Sequence, residues 1–271
     1  MIKWLLGLLL ALLLLQATGL YLWQETMIFL TRPLREWQRQ AALLQRHRLQ
    51  EVSLHTHDGV TVRGWWLLPR TVERAPLLIY FGGNAEEVSH LLSEADRFAG
   101  WSLLLCNYRG YGGSEGVPGE KALVADAVQL YDHFSAQPSI DGQRVVLLGR
   151  SLGSGVAVQL AAARPVAATI LLSPFDSLRE VAQSIYFWLP VRWLLRHPFD
   201  SLAKAGSIRS PLLVVLGERD TLVPPAMSER LAQAWGGPTQ VYREPFADHD
   251  TLLDNGRAWQ AIVSYLQRLP G

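Results

Sequence analysis

The sequence predicts an α/β fold: a mostly parallel central sheet with helices on both faces, an antiparallel hairpin at its start, and an apolar N-terminal transmembrane helix. Six short apolar runs alternate with helical segments between residues 76 and 267, which is typical of parallel strands covered on both sides. Asp58-Gly59 joins two segments of alternating polarity, as in a hairpin. Residues 4–23 carry no charged side chain, which indicates a membrane span.

The uncharged run is long enough to cross a bilayer. It has eleven leucines, and as a helix its 20 residues would span about 30 Å, the thickness of the hydrocarbon core. Trp4, Tyr21 and Trp23 stand near its ends, where aromatic side chains meet lipid headgroups. We predict a single-pass anchor in residues 1–23. A cleaved signal peptide is the alternative, although its apolar stretch usually has only about 7–15 residues. Basic residues on both sides leave the membrane orientation open.

A second helical pattern follows this run. Apolar and basic residues recur there at helical spacing: Leu34, Trp37, Ala41, Leu44 and Arg48. The spacing predicts an amphipathic helix within residues 24–49 that links the anchor to a globular domain in residues 50–271. Its basic side either meets lipid headgroups or lies in solvent while the helix packs on the domain.

Composition excludes several classes of function. A net charge of +1 provides no basic field for nucleic acid. Cys106 is the single cysteine, so no disulfide forms within the chain. Neither metal-ligand spacing nor a nucleotide-binding glycine loop is present, and we expect no cofactor and no metal. The oligomeric state is left open.

The globular domain begins with the hairpin and continues as alternating strands and helices. The hairpin strands are expected at 51–56 and 61–68. Further strands are expected near 76–81, 101–106, 144–149, 167–172, 211–216 and 239–244. Helices are expected near 86–99, 120–135, 152–163, 177–187, 225–235 and 251–267.

The motif Gly149-Arg150-Ser151-Leu152-Gly153 lies between a predicted strand and a predicted helix. In this context G-x-S-x-G forms a tight turn that exposes a nucleophilic serine, and its glycines avoid clashes in a crowded backbone. Ser151 is therefore the candidate nucleophile. The alternative is an ordinary strand-to-helix turn with a capping serine.

A nucleophilic serine needs a base and an acid, which follow it in the order Ser, Asp, His on this kind of sheet. Asp220 comes just after the predicted strand 211–216, and His249 follows the last predicted strand. Rival acids are Glu218, Asp248 and Asp250; rival histidines are His47, His55, His57, His90, His133 and His197. We expect Asp220 and His249 to complete the triad, because functional groups of such sheets follow the carboxyl ends of strands.

The predicted strand 76–81 ends in Gly82-Gly83-Asn84-Ala85. Backbone N–H groups at such a junction can stabilise an oxyanion, together with the N–H that follows the nucleophile, on Leu152. The first donor is expected on Asn84 or its neighbour Gly83. Asn84 as a helix N-cap is an alternative that is compatible with this role.

Three motifs resemble the α/β-hydrolase superfamily. They are Tyr80-Phe81-Gly82-Gly83-Asn84-Ala85, the segment from Asn107 to Gly116 (NYRGYGGSEG), and Ser173-Pro174-Phe175-Asp176-Ser177-Leu178. More narrowly, residues 50–268 resemble the small membrane-anchored members of its prolyl-oligopeptidase-like, serine aminopeptidase-like branch. Relatives often have His-Gly-Asn-Ala where this chain has Gly82-Gly83-Asn84-Ala85, which removes one imidazole. The resemblance implies the α/β-hydrolase fold and a hydrolase acting on an ester, thioester or amide.

Two further segments surround the expected site. The aromatic-rich residues 185–199 stand where these hydrolases carry a short cap, and they would line an apolar acyl pocket or touch the bilayer; core packing is the alternative. The loop 107–116 is expected to support the site, with Arg109 paired to a carboxylate. Asp126 and Asp132 are expected at the surface.

These observations predict a serine hydrolase that cleaves an ester or thioester, with a small acyl or lipid-like substrate, through Ser151, Asp220 and His249 and an acyl-enzyme intermediate. A serine peptidase on the same fold is the first alternative. A non-catalytic, membrane-bound binding or scaffold protein is the second, because a fold does not determine a function.

Overall fold

The computed structural model describes residues 2–45, 48–69 and 73–270. Its centre is an eight-stranded sheet in the order β1-β2-β4-β3-β5-β6-β7-β8. The strands are β1 Leu49–His55, β2 Thr61–Leu67, β3 Ala75–Phe81, β4 Ser102–Cys106, β5 Ile140–Arg150, β6 Ala168–Leu172, β7 Leu212–Gly217 and β8 Thr239–Glu244. Strand β2 pairs antiparallel with β1 and β4, and all other pairs are parallel. The predicted fold class is confirmed.

Helices cover both faces of this sheet, except α1, whose most apolar window is not buried against the protein. The helices are α1 Ile2–Ile28, α2 Glu36–Gln45, α3 Glu120–Ser135, α4 Leu152–Ala163, α5 Leu178–Ile185, α6 Val191–Leu194, α7 Leu202–Ala205, α8 Pro225–Ala234 and α9 Arg257–Gln267. Side chains alternate along each strand, so Leu77 and Ile79 of β3 join the core beneath α3 and α4. Leu78 and Tyr80 point to the opposite core, beneath α9.

Two predicted helices differ from the structure. Residues 88–98 form a 3₁₀ helix (Val88–Phe98) instead of an α-helix. Ser89, Leu92, Ala95 and Phe98 are all buried and stand three residues apart, so a helix with three residues per turn places them on one stripe. Helix α9 begins at Arg257 rather than near residue 251, because Gly256 at its N-cap takes a left-handed conformation with φ +74°.

The predicted helix in residues 24–49 is divided in the structure. Helix α1 continues to Ile28, and α2 starts only at Glu36, after an extended segment. Pro33 disfavours helix in the residue before it, and Phe29 leaves α1 to enter the core. Trp37 is 63% exposed, so this side of α2 does not pack on the domain. Residues 46 and 47, and the side chains of Ala41 and Leu44, lie outside the described part of the chain.

Helix α1 is long and apolar enough to cross a bilayer. Its 27 residues would span about 40 Å, and none of its most apolar window is buried against the protein. A helix of this kind near an N-terminus also fits a signal sequence.

Candidate active site

Ser151 occupies a strained turn between β5 and α4. Its φ is +48° and its ψ is −114°, values that a non-glycine residue rarely adopts. The turn requires its glycines: a Cβ on Gly153 would lie 2.1 Å from the Phe81 carbonyl oxygen, and one on Gly149 would lie 2.5 Å from the Gly153 oxygen. Ser151 stands at the N-cap of α4, but its hydroxyl makes no capping hydrogen bond. The interpretation of Ser151 as a simple capping residue is therefore not supported.

The structure brings Ser151, His249 and Asp220 together. Ser151 Oγ lies 2.9 Å from His249 Nε2, and His249 Nδ1 lies 2.7 Å from Asp220 Oδ2. The other carboxylate oxygen, Oδ1, accepts the backbone N–H groups of Leu222 at 3.0 Å and Val223 at 2.8 Å. The tautomer that satisfies both histidine contacts has its proton on Nδ1, which leaves Nε2 free to accept from the serine.

The rival acids are engaged elsewhere or exposed. Asp248 Oδ1 accepts the backbone N–H groups of Asp250 and Thr251, so Asp248 closes a local turn. Glu218 and Asp250 are exposed. Of the rival histidines, His197 accepts from the Glu120 N–H and packs on Phe29 instead. His47 lies outside the described residues, and no other histidine within them contacts Ser151.

The loop after β3 lies beside the serine. A Cβ on Gly83 would be 3.7 Å from the Ser151 Cβ. The Gly83 N–H already donates to Glu86 Oε2 at 2.7 Å, which favours Asn84 over Gly83 as an oxyanion donor. The Leu152 N–H, in the first turn of α4, has no intrahelical acceptor. The 3₁₀ helix that follows the loop is capped by Glu87, so Asn84 does not serve as its N-cap.

The Asn84 side chain fixes this loop from three directions. Its Oδ1 accepts from the Ala85 N–H at 3.0 Å, the Tyr111 hydroxyl at 3.0 Å and the Leu30 N–H at 2.9 Å. The Tyr108 hydroxyl holds the same loop by donating to the Gly82 oxygen at 2.8 Å. Burial raises the pKa of Tyr108 well above its usual range, which keeps this donor protonated.

The loop 107–116 therefore supports the site through its tyrosines, and a buried ion pair anchors it. Arg109 donates from Nε to Asp126 Oδ2 at 2.7 Å and from a terminal nitrogen to Asp58 at 2.8 Å. The expectation that Asp126 is exposed was wrong: it is buried because it faces Arg109. Asp132 lies at the surface as expected, paired with Arg164.

An apolar cavity of about 220 Å³ opens next to the serine. Ser151, Leu152 and Asn84 form its floor, and its walls are apolar: Met27, Ile28, Phe175, Leu178, Val181, Ala182, Ile185, Tyr186, Leu222 and Val223. Met27 and Ile28 were not expected in the site. Their signal in the sequence is an apolar triplet, with Phe29, that follows the polar pair Glu25-Thr26.

The cap segment, residues 185–199, fits each of its two interpretations, cap and core packing, in part. Leu189 and Val191 are buried, as core packing predicts, and Tyr186 lines the cavity. Phe187 is 77% exposed and Trp193 is 88% exposed, so other aromatic side chains of the cap face outward. Within residues 2–45, 48–69 and 73–270, no group of three or more His, Cys, Asp or Glu side chains is arranged to hold a metal ion.

Comparison with known proteins gives consistent matches. The model of the family described as serine aminopeptidase, S33, matches residues 73–203. The protein Rv2307c of Mycobacterium tuberculosis is 38% identical over 221 residues, covering 80% of this chain and 79% of that protein. The lysophosphatidylserine lipase ABHD12 of Danio rerio is 28% identical over 227 residues, covering 65% of this chain and 58% of the lipase.

Solved structures agree on the fold. The Pyrococcus furiosus esterase Pf2001 superimposes with a TM-score of 0.66 at 19% identity, covering 89% of this chain and 98% of the esterase. At this identity the likeness concerns the fold alone. Together with the relatives matched by sequence, it establishes that the chain belongs to the α/β-hydrolase superfamily.

Proposed function

We propose that the protein is a serine hydrolase that cleaves an ester or thioester with an apolar acyl group. The observation that carries the proposal is the hydrogen-bonded series from Ser151 Oγ to His249 Nε2 (2.9 Å) and from His249 Nδ1 to Asp220 Oδ2 (2.7 Å), beside an apolar cavity. Nucleophile, base and orienting acid thus stand in the order that acyl transfer requires.

The reaction proceeds in two halves. His249 Nε2 takes the hydroxyl proton as Ser151 Oγ attacks the carbonyl carbon, and the imidazolium then gives this proton to the leaving alcohol or thiol. In the second half His249 takes a proton from water, which attacks the acyl-enzyme; His249 then returns this proton to Ser151 Oγ as the acyl–oxygen bond breaks and the acid leaves. Asp220 accepts the hydrogen bond from the Nδ1–H of His249 and thereby keeps the ring oriented and stabilises the imidazolium. The backbone N–H groups of Asn84 and Leu152 stabilise the oxyanion in both halves.

The cavity lining supports an apolar acyl group rather than a peptide end. The side chains that line it include no Asp, Glu, Lys or Arg. An aminopeptidase needs a carboxylate near the serine to bind the free α-amino group of its substrate. The similarity to a lysophosphatidylserine lipase also agrees with a lipid-like ester.

We propose further that α1 anchors the protein in a membrane. Leu20 and Tyr21, in the apolar part of α1, line a cavity against the cap, and the Arg196 guanidinium donates to the Tyr21 oxygen at 3.0 Å; these contacts favour an uncleaved anchor over a signal peptide. The proposed division of the chain is an anchor in residues 1–23, a connecting segment in residues 24–49 and a catalytic domain in residues 50–271.

A fluorophosphonate probe, which phosphonylates activated serines, tests the proposal. The wild-type protein should be labelled, and Ser151→Ala should lose the label. Ser184→Ala, a change at an exposed serine on α5, is the matched control and should be labelled like the wild type. Absence of labelling in a folded wild-type protein would favour the non-catalytic alternative. Faster turnover of aminoacyl anilides than of butyrate esters would favour the peptidase.

A further inference from the structure

A second apolar cavity, of about 80 Å³, lies between α1 and the cap. Its walls come from α1 and from residues 182–195: Leu20, Tyr21, Gln24, Met27, Ile28, Ala182, Tyr186, Leu189, Val191, Leu194 and Leu195. Met27, Ile28, Ala182 and Tyr186 also line the cavity beside Ser151. The two cavities are thus adjacent along one side of α1, and the membrane helix forms a wall of both.

Hydrogen bonds hold α1 against the cap at this point. The buried Gln24 side chain donates to the Leu194 oxygen at 3.0 Å and accepts the Arg196 N–H at 2.7 Å. The Arg196 guanidinium donates to the Tyr21 oxygen at 3.0 Å and lies 5.0 Å above the Tyr21 ring. Because the amide of a buried glutamine is costly to leave unpaired, these bonds fix the distance between helix and cap.

The second cavity lies where the uncharged part of α1 ends. Leu20 and Tyr21 belong to that part, and Glu25 follows one turn later. Exposed aromatic side chains stand at the same end of the molecule, on α1 (Trp23) and on the cap (Trp193). Aromatic side chains of this kind concentrate at the membrane–water interface. A bilayer around α1 therefore places this cavity at the level of the lipid headgroups and upper acyl chains.

We propose that the two cavities form one acyl-chain groove, and that the acyl chain of a membrane ester enters it from the bilayer along α1. This inference rests on the proposed function, because the chain ends at a carbonyl group beside Ser151. The helix rises about 12 Å from Leu20 to Ile28, so the groove accommodates a medium-length chain. For a chain taken up from water, each methylene that the groove buries would raise kcat/KM about fourfold; a chain that enters from the bilayer gains less, because its methylenes are already out of water.

The experiment uses the full chain in phosphatidylcholine nanodiscs and two fluorophosphonates, one with an ethyl chain and one with a dodecyl chain. The measured quantity is the ratio of the two labelling rates. Leu20→Trp fills the groove, while Leu22→Trp makes the same exchange on the outward side of α1, where Leu22 is 63% exposed. The wild type and Leu22→Trp should prefer the dodecyl probe at least tenfold, and Leu20→Trp should lose most of that preference.

A second pair of variants tests the same groove from the cap. Ala182→Leu narrows the junction of the two cavities, and Ser184→Leu, at an exposed position of the same helix, is its control. If the wild type reacts with the ethyl probe but shows no preference for the dodecyl probe, the groove is refuted while the proposed function stands. The same holds if the groove variants behave like their controls.

A binding measurement without chemistry covers the remaining outcome, in which neither probe reacts. Ser151→Ala in nanodiscs is photo-crosslinked to a diazirine-labelled fatty acid, and the modified peptides are mapped. The groove is supported if α1 and residues 182–195 are modified, and if this modification falls at least fivefold when Leu20→Trp is combined with Ser151→Ala. Modification elsewhere, or equal modification with Leu22→Trp and Leu20→Trp, overturns it.

Discussion

Replacing Asp220 by asparagine exchanges one carboxylate oxygen for an NH₂ group, and the hydrogen bonds around this side chain determine the effect on catalysis. Asp220 Oδ1 accepts two backbone N–H groups, from Leu222 and Val223. An asparagine must present its single carbonyl oxygen to those donors, because its NH₂ group would face them donor to donor. The NH₂ group then points at His249 Nδ1, the atom that Asp220 Oδ2 contacts at 2.7 Å.

This exchange reverses the histidine tautomer. Nδ1 has to accept from the asparagine, so the ring proton moves to Nε2, the atom that lies 2.9 Å from Ser151 Oγ. A protonated Nε2 cannot take the serine proton, and kcat should fall by about 10⁴-fold, as for the corresponding exchange in a serine protease. At 1.36 kcal/mol per factor of ten, this is about 5 kcal/mol of transition-state stabilisation. KM should change little, because Asp220 does not line the cavity.

The assay is the steady-state hydrolysis of a butyrate ester, with circular dichroism to confirm folding. Asp248→Asn is the matched control: this carboxylate is exposed, closes a local turn and should leave kcat within about twofold of the wild type. If Asp220→Asn retains more than about a tenth of wild-type kcat while Asp248→Asn loses most of it, the assignment of the orienting acid is wrong.

Two other substitutions test the frame around the site. Gly153→Ala places a Cβ 2.1 Å from the backbone oxygen at the end of β3 and should lower the free energy of unfolding by about 3 kcal/mol. Gly206→Ala is the control, because its Cβ would meet its nearest atom at 3.6 Å, and it should leave the free energy of unfolding nearly unchanged. Thermal denaturation measures both. Tyr111→Phe removes one of three donors to Asn84 Oδ1 and should cost about 1 kcal/mol of stability together with a severalfold fall in kcat. Tyr265→Phe, at a buried hydroxyl without a hydrogen-bond partner among the described residues, should change neither quantity.

The sheet was predictable because its inner strands β3, β4, β6 and β7 are buried on both faces. Residues 76–81 have no alternating pattern, and β3 is buried over its whole length between two helical layers. Helix ends were less predictable. The start of α9 depends on a left-handed Gly256. The 3₁₀ helix depends on buried residues spaced three apart, a spacing that the prediction of an α-helix over residues 86–99 did not use. Both features become visible only when local backbone geometry is known.

The residues of the candidate site could be found because each directly follows a strand. Ser151, Asp220 and His249 come after β5, β7 and β8, and the carboxyl ends of parallel strands meet at one edge of the sheet. The burial of Asp126 could not be found in this way, because its partner Arg109 lies on a loop 17 residues away. The position of Ile28 could not be found either, because tertiary packing alone brings it to the cavity that Ser151 also lines.

The segment that follows α1 contacts the loop after β3, which lies beside Ser151. Asn84 Oδ1 accepts the Leu30 N–H just beyond α1, and the same side chain belongs to the residue whose backbone N–H is the proposed oxyanion donor. Phe29 holds this junction in the core, and Pro33 pairs with Gly112 in the loop that supports the site. A segment with only an anchoring role would not need these contacts, because a flexible linker tethers a domain equally well. The packing instead fits a helix whose last residues, Met27 and Ile28, form one wall of the cavity beside Ser151.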